Sequence, residues 1–409
     1  MLDSLRSETD AAEILVVGAG LAGLAAAIGF SQAGFKTILV GAPEALADGR
    51  TVALLDGSMR FLEELGLRPE IERRGAPMRA LRIVDDTGSL WRAPTVEFHA
   101  GEIDLDAFGW NIKNAELIAA LGEEAARRTH LKIIAGRVEA YDWSGEEARA
   151  QCADGRVIAA RLIVAADGRL SPARVSADIG ARVRPSAQTA LTAILSHARP
   201  HDDFSTEFHT RQGPFTLVPL PPDSAGRRRS SLVWVMAEAE ARRRAALADD
   251  ALSAEIEAQA QSIHGAMRIA GARGVFPLAS QSAARLTAKR LALIGDAAHV
   301  LPPTGAQGFN LGLRDVAQLI EIVAQAKVAG EDFGAAGALA RYAAARRGDV
   351  FARTAAVDTL NRSLIADFAP IDFARSTGLA ALGAIGPLRR FVMREGIAPR
   401  RASPRAMQR

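Results

Sequence analysis

Residues 14–30 read ILVVGAGLAGLAAAIGF, and how this stretch divides decides the fold. It runs for 17 residues without a charge, close to the length that crosses a bilayer. Four glycines, Gly18, Gly20, Gly23 and Gly29, divide it differently. Gly18-Ala19-Gly20-Leu21-Ala22-Gly23 has the spacing of a nucleotide-binding turn between a buried strand and a helix. On that reading Gly18 permits the tight turn and Gly20 lets the main chain approach a pyrophosphate. Gly23 lets helix and strand pack closely. The free N–H groups and positive dipole end of the helix then face the diphosphate. The pattern points to a dinucleotide without saying which, and no transmembrane segment is expected.

Outward from this turn, residues 12–17 read as a buried parallel strand, 21–33 as the following helix and 36–40 as a second strand, one βαβ unit. The second strand ends Leu39-Val40-Gly41-Ala42-Pro43, without the acid that commonly meets a ribose hydroxyl there. Glu44 is the first acid, already past a proline, so backbone, water or Glu44 must serve. Residues 54–65 read as helix, closed by Gly66 and Pro69. Strand-like alternation covers 79–102, helix 114–128, and strands 131–140 and 147–164. Four strands of one antiparallel sheet are expected within 181–236, then helix over 238–268, a buried strand at 291–294, and Ala-rich helix after Gly312. Strand-plus-helix segments at 12–75, 105–175 and 288–325 thus interleave with sheet-rich segments near 79–102 and 181–275. Two spatial domains assembled from separated pieces explain the order.

With 409 residues, 49% hydrophobic and 24% charged, the chain has the composition of a globular protein of two or three domains. Disorder, collagen and small disulfide scaffolds are excluded. Cys152 is the only cysteine, so no internal disulfide and no Cys-rich zinc site can form. The charge balance, 50 − 47 = +3, does not indicate nucleic acid. Its distribution says more, because residues 389–409 hold seven arginines and one acid, a +6 tail suited to an anionic membrane surface or to a solvated end. The opening MLDSLRSETD lacks the apolar core of a secretory signal, so a cytoplasmic location is expected.

Two further motifs carry chemistry. Leu162-Ile163-Val164-Ala165-Ala166-Asp167-Gly168-Arg169 puts a carboxylate at a strand-to-turn junction. Leu293-Ile294-Gly295-Asp296-Ala297-Ala298-His299 does the same. It is followed by Pro302-Pro303-Thr304-Gly305-Ala306-Gln307-Gly308-Phe309-Asn310-Leu311-Gly312-Leu313-Arg314-Asp315, where prolines stop the chain and small residues open a helix. Asp296 would sit at the carboxyl end of a strand, where α/β proteins bind ligands. GAGLAG, AADGRLSPAR and GDAAH…PPTGAQGFNLGLRD stand in the order and spacing of the class A flavoprotein aromatic hydroxylases. Within them the chain most resembles the ubiquinone-biosynthesis hydroxylases, from about residue 12 to 365.

The resemblance implies an α/β fold: a Rossmann-like FAD-binding domain (1–78, 103–178 and 275–330) interleaved with an antiparallel-sheet substrate domain (79–102 and 179–274) and a helical C-terminal region with a basic tail (331–409). It implies that Gly18, Ala19, Gly20, Leu21, Ala22 and Gly23 hold the FAD diphosphate and that Arg50 and Asn114 contact the cofactor, with Ala115 where the family commonly has arginine. Val138 would offer its main chain to the adenine. Asp167 would belong to the motif linked to FAD and the nicotinamide donor, and Asp296 would bind the ribityl chain. Gly305, Ala306, Gln307, Gly308, Phe309 and Asn310 would lie against the isoalloxazine, with Ala306 where the family often has glycine.

It also implies a reaction. NAD(P)H would reduce FAD, the flavin would activate oxygen, and one oxygen atom would reach the aromatic ring of a prenylated ubiquinone precursor. Phe215, Leu217, Pro219, Trp234 and Pro303 are the candidate pocket walls; ordinary sheet core is the other reading of the strand residues. His299 reads as a packed or capping histidine before a catalytic base. No metal is expected, because the seven histidines are scattered. The segment Leu379–Leu388 and the tail would place the protein at the inner membrane as a peripheral contact, and a biosynthetic complex is a further expected partner. The alternatives are a related flavin hydroxylase acting on a soluble phenol or polyketide, or a flavin-retaining structural subunit of a quinone-biosynthesis complex.

Overall fold

A computed structural model describes residues 9–43, 49–89, 92–302, 306–365, 369–397 and 403–408, with the main chain alone for Thr9, 354–365 and 369–375. One sheet has a parallel core in the order Leu291–Leu293, Val157–Ala165, Thr9–Val17, Thr37–Val40, Leu131–Ile134. Val17 lies beside both Ala165 and Val40, so neighbouring strands end together on one rim. The strands are apolar on both sides because both faces are covered. Ile14, Val16, Leu39, Leu162 and Val164 pack with helices Leu21–Gln32 and Gln307–Val328. Leu15, Val17, Ile38 and Ile163 pack under the strands Val138–Asp142 and Ala148–Cys152 and the short helix Pro172–Ser176.

The second sheet runs in the order His299–Val300, Met267–Ala283, Ala181–His197, Arg229–Ala237, Gly213–Leu220, Phe204–Thr210, Ala80–Asp85, Val96–His99. Its alternation separates two faces. Leu191, Phe215, Leu217, Leu232 and Trp234 form a core with Ala241, Leu252 and Ile256 of helices Glu238–Ala245 and Asp249–Gln259. Thr192, Thr216, Ser231 and Val233, at the intervening positions, take the opposite face. That face meets the first domain. Thr51 Oγ1 donates to Ser231 Oγ (3.0 Å), and Asn111 Nδ2 donates to the Pro219 carbonyl (2.9 Å). Thr51 and Asn111 belong to a small sheet in which Gly109–Lys113 is flanked by Thr51–Leu55 and Ala76–Met78.

Several boundaries differ from the sequence reading. The expected helix over 54–65 is a strand through Leu55 and then helix Asp56–Glu64. The span 238–268 holds two helices and then the start of strand Met267–Ala283, which runs past the expected boundary at 274. That strand contains Gly271, Gly274 and Pro277 and lacks a clean two-residue period. Its long pairing with Ala181–His197, with register shifts at Pro185/Thr189 and Ala193/Leu195, imposes the conformation.

The basic tail also differs from a free solvated end. After helices Ala336–Ile365, Ala369–Ala384 and Gly386–Ile397, a short turn Arg405–Met407 buries Met407 against helices Asp56–Glu64 and Gln307–Val328. Arg389, Arg394 and Arg405 pair with Glu102, Asp104 and Glu321 (2.7, 3.3 and 3.3 Å). Arg400, Arg401 and Arg409 lie outside the described residues. Among the described residues no helix is long and apolar enough to cross a membrane.

Candidate active site

The glycine turn is fixed by close approach. Gly18 has φ +103° and donates its N–H to the Val40 carbonyl (2.8 Å). A Cβ there would lie 2.3 Å from the Ala166 carbonyl oxygen, and one at Gly23 only 1.8 Å from that of Gly18. The turn, the first helix and the strand end that carries Asp167 are thereby locked together. Gly20 is the opposite case, with nothing within 4 Å of the position a Cβ would take. Helix Leu21–Gln32 begins there with no side-chain cap and no acid in its first turn. Uncapped N–H donors facing open space are what a diphosphate requires. Ala19 is buried, and Leu21 and Ala22 pack against the core, so they support the turn with their side chains.

Three other segments converge on the same rim. Asn114, first residue of helix Asn114–Ala126, donates its N–H to the Arg50 carbonyl (3.1 Å), which joins two predicted contacts. The Arg50 guanidinium lies over the Phe276 ring (4.9 Å). Asp167 Oδ2 accepts from the Ala173 N–H (3.0 Å), and burial raises its carboxyl pKa. Asp296 follows strand Leu291–Leu293. Its side chain is exposed, yet enough protein surrounds it that desolvation raises its pKa against the pull of His299, Arg50 and Arg169. A Cβ on Gly295 would meet Ala22 at 3.2 Å, and one on Gly312 would meet Gly295 at 3.2 Å, so the first helix, the Asp296 turn and helix Gln307–Val328 touch. Val138 opens its strand with its side chain in the core. Asn114 Oδ1 and Asp167 Oδ1 are buried acceptors without a partner. Uncapped N–H donors for a diphosphate, together with orphaned acceptors for ribose or ribityl hydroxyls, form a donor set that fits FAD.

Helix Gln307–Val328 begins after Ala306, which holds φ +54° in the left-handed region where glycine is favoured. Gln307 Oε1 accepts from Arg353 Nη1 (2.6 Å). Nothing lies within 4 Å of a Cβ at Gly308, and Phe309 packs partly into the core. The Asn310 amide holds protein: Oδ1 accepts from the Leu55 N–H (2.9 Å), and Nδ2 donates to the Ala53 and Ala306 carbonyls (2.7 and 2.6 Å). The Asn310 side chain therefore positions strand Thr51–Leu55. Glu44, Pro303 and Gly305 lie outside the described residues.

Three of the candidate pocket walls lie in the core of the antiparallel sheet. Phe215, Leu217 and Trp234 are buried on the sheet face under the two helices, with Phe215 and Trp234 edge to face at 5.1 Å. Thr192, Thr216 and Val233 occupy the face turned toward the first domain. Alternation gave the two sets but could not say which faced the groove.

His299 is buried with Nε2 2.6 Å from Asp315 Oδ2, an internal hydrogen-bonded pair and not an open base. It belongs to a cluster that the sequence reading missed. Asp315 also accepts from the Gly295 N–H (3.0 Å) and Arg346 Nε (2.7 Å), while Asp349 binds Arg314, Arg346 and Arg353 (2.7, 2.6 and 2.9 Å). The available sign was the placing of Arg314-Asp315 and Arg346–Asp349 among alanines and leucines on helices that must pack. Among the described residues no group of histidines, cysteines or acids could hold a metal.

The family described as FAD binding domain matches residues 11–352. Ubiquinone hydroxylase UbiL of Rhodospirillum rubrum is 34% identical over 401 residues, covering 96% of this chain and 91% of its own length. The 3-demethoxyubiquinol 3-hydroxylase of Escherichia coli is 30% identical over 393 residues, covering 93% and 97%. Among solved structures, p-nitrophenol 4-monooxygenase PnpA of Pseudomonas putida superposes with a TM-score of 0.78 at 19% identity, over 96% of this chain and all of that one, which shows a shared fold.

Proposed function

The chain belongs to the FAD-binding family, in its ubiquinone-biosynthesis hydroxylase branch, and from that premise we propose that this FAD-dependent monooxygenase hydroxylates the aromatic ring of a prenylated ubiquinone precursor. The observation that carries the reading is the meeting of three distant segments, Gly18–Gly23, Asp167 and Gly295–Gly312, on one rim beside an independent sheet face.

Bound FAD supplies hydride acceptance and oxygen activation. The residues of this chain hold and shield it. The uncapped start of helix Leu21–Gln32 binds the diphosphate. Asp296 and the Asn114 carbonyl accept from hydroxyls of the cofactor, and the main chain of Val138 meets the adenine. The start of helix Gln307–Val328 would help to hold the flavin, with its positive dipole end toward the cofactor. Asp167 would serve both FAD and NAD(P)H, the proposed reductant. Thr192, Thr216 and Val233, on the face turned toward the first domain, would form the floor of the substrate space and shield it from water.

A prenylated substrate resides in a bilayer. Ile385, Leu388, Phe391 and Val392 present an exposed apolar face at the start and outer side of helix Gly386–Ile397, with Phe391 63% exposed. Exposed Arg390 adjoins them, within a tail of formal charge +6. This face is the proposed peripheral contact with an anionic membrane.

Lipid extracts of a strain lacking the gene test the substrate. Accumulation of an under-hydroxylated prenylated ring supports it, and an unchanged ubiquinone profile contradicts it. Flotation with anionic vesicles tests the contact: full-length protein is expected to float and the L388S/F391S variant to stay behind, whereas equal flotation counts against this face.

A further inference from the structure

Helix Gln307–Val328 rests on buried charge. Among the described residues, three guanidiniums (Arg314, Arg346 and Arg353) face two carboxylates (Asp315 and Asp349), before His299 is counted. Arg346 and Asp315 are fully buried, and the Arg314 and Asp349 side chains are each 7% exposed. Arginine stays protonated in proteins. Burial raises both carboxylates, yet both are held below their usual range, Asp349 by Arg314, Arg346 and Arg353, and Asp315 by His299 and Arg346. Among the described residues the cluster therefore holds one more guanidinium than carboxylate, in a medium that screens charge weakly.

Its two ends touch the segments that would support the flavin. Arg353 Nη1 donates to Gln307 Oε1 at the first residue of the helix (2.6 Å). Asp315 Oδ2 accepts from the N–H of Gly295, the residue before Asp296 (3.0 Å). Helix Ala336–Ile365, which supplies Arg346, Asp349 and Arg353, reaches the flavin site through these contacts and through Tyr342, whose hydroxyl donates to the Leu293 carbonyl (2.8 Å).

We propose that this buried, cation-rich cluster sets the reduction potential of the bound flavin, with Arg353 as a positioning residue that brings its positive excess to the start of helix Gln307–Val328. Two-electron reduction leaves a flavin more negative, so fixed positive charge behind its cradle favours the reduced state. The proposal concerns cofactor electrostatics and does not depend on which aromatic substrate is used.

Dye-equilibrated reductive titration of the FAD-loaded protein tests it without turnover. R353Q removes one cation at the Gln307 contact. It is expected to shift the equilibrium about tenfold toward oxidised flavin, which is about 30 mV lower for a two-electron couple. R353K is expected to recover most of that shift. D349N, which removes an anion, is expected to move the potential the opposite way, a sign that simple loosening of the fold would not produce. R243Q, in an exposed pair with Glu255 on helix Glu238–Ala245, is the control expected to leave the potential in place. A potential unchanged in R353Q, or lowered equally in R353Q and R353K, overturns the proposal, as does a shift of the same sign in R353Q and D349N. If D349N does not fold, the R353Q and R353K pair still decides.

Discussion

The parallel and antiparallel sheets are proposed to border one groove and would reach it by different means. In the parallel sheet, strands Thr9–Val17, Val157–Ala165 and Leu291–Leu293 end in turns whose residue types are dictated by close approach of the main chain at Gly18 and Gly23 and by a positive φ (+55°) at Gly295. A ligand there is met by N–H groups and carboxylates at strand ends. In the antiparallel sheet the groove is met by one face of each strand, and Thr192, Thr216 and Val233 differ from Phe215, Leu217 and Trp234 only in the side they take. Function at strand ends is intolerant of substitution, whereas function on a sheet face is tunable at one position and purely structural at the next.

The strongest way to break this contrast is Gly23→Val. Its Cβ would fall 1.8 Å from a carbonyl oxygen, so a cost upward of about 4 kcal/mol and loss of bound flavin are expected. A variant purified with full flavin absorbance would contradict the strand-end account. Next comes Trp234→Ala, expected to cost about 3–4 kcal/mol in denaturant unfolding with little change in substrate KM. Val233→Phe, its neighbour on the other face, is expected to raise KM with a smaller loss of stability. If the two variants exchange behaviour, the faces are assigned the wrong way round.

A weaker effect separates the sheets by pH. His264 is buried at the end of the antiparallel sheet, stacked on His197 at 4.7 Å, and burial, followed by His197, His201 and Arg82, lowers its pKa to about 4. The folded protein keeps it neutral, while the unfolded chain binds a proton near the ordinary value. Stability is therefore complete above that ordinary value and falls as pH drops, by about 1–2 kcal/mol between about pH 7 and about pH 5. Replacing His264 with Phe is expected to flatten that slope in chemical unfolding, and an unchanged slope would remove His264 from the explanation. The smallest expected effect is at Ala306, where φ is +54°. Ala306→Gly relieves a left-handed alanine but frees the unfolded chain, for a net gain of about 0–1 kcal/mol in melting experiments.

The same contrast explains what was legible in the sequence. GAGLAG, AADG and GDAAH could be read because main-chain contact leaves few residue types able to occupy those turns. Strand Met267–Ala283 could not, since pairing with Ala181–His197 overrides a segment holding Gly271, Gly274 and Pro277. Two-residue alternation revealed the strands around Phe215 and Trp234 but not which face the helices Glu238–Ala245 and Asp249–Gln259 would cover. The ionic cluster joins Asp315 to Arg346 and Asp349 across two helices, and the docked Met407 depends on a chain reversal, so both needed tertiary structure to be seen.

The most direct test of the central claim is isotopic. Holoprotein supplied with NAD(P)H, a prenylated phenol and heavy-isotope dioxygen is expected to give a ring-hydroxylated product carrying one heavy oxygen atom, with none acquired from labelled water. A product labelled from water, or NAD(P)H oxidation that releases only peroxide whichever phenol is offered, would contradict it.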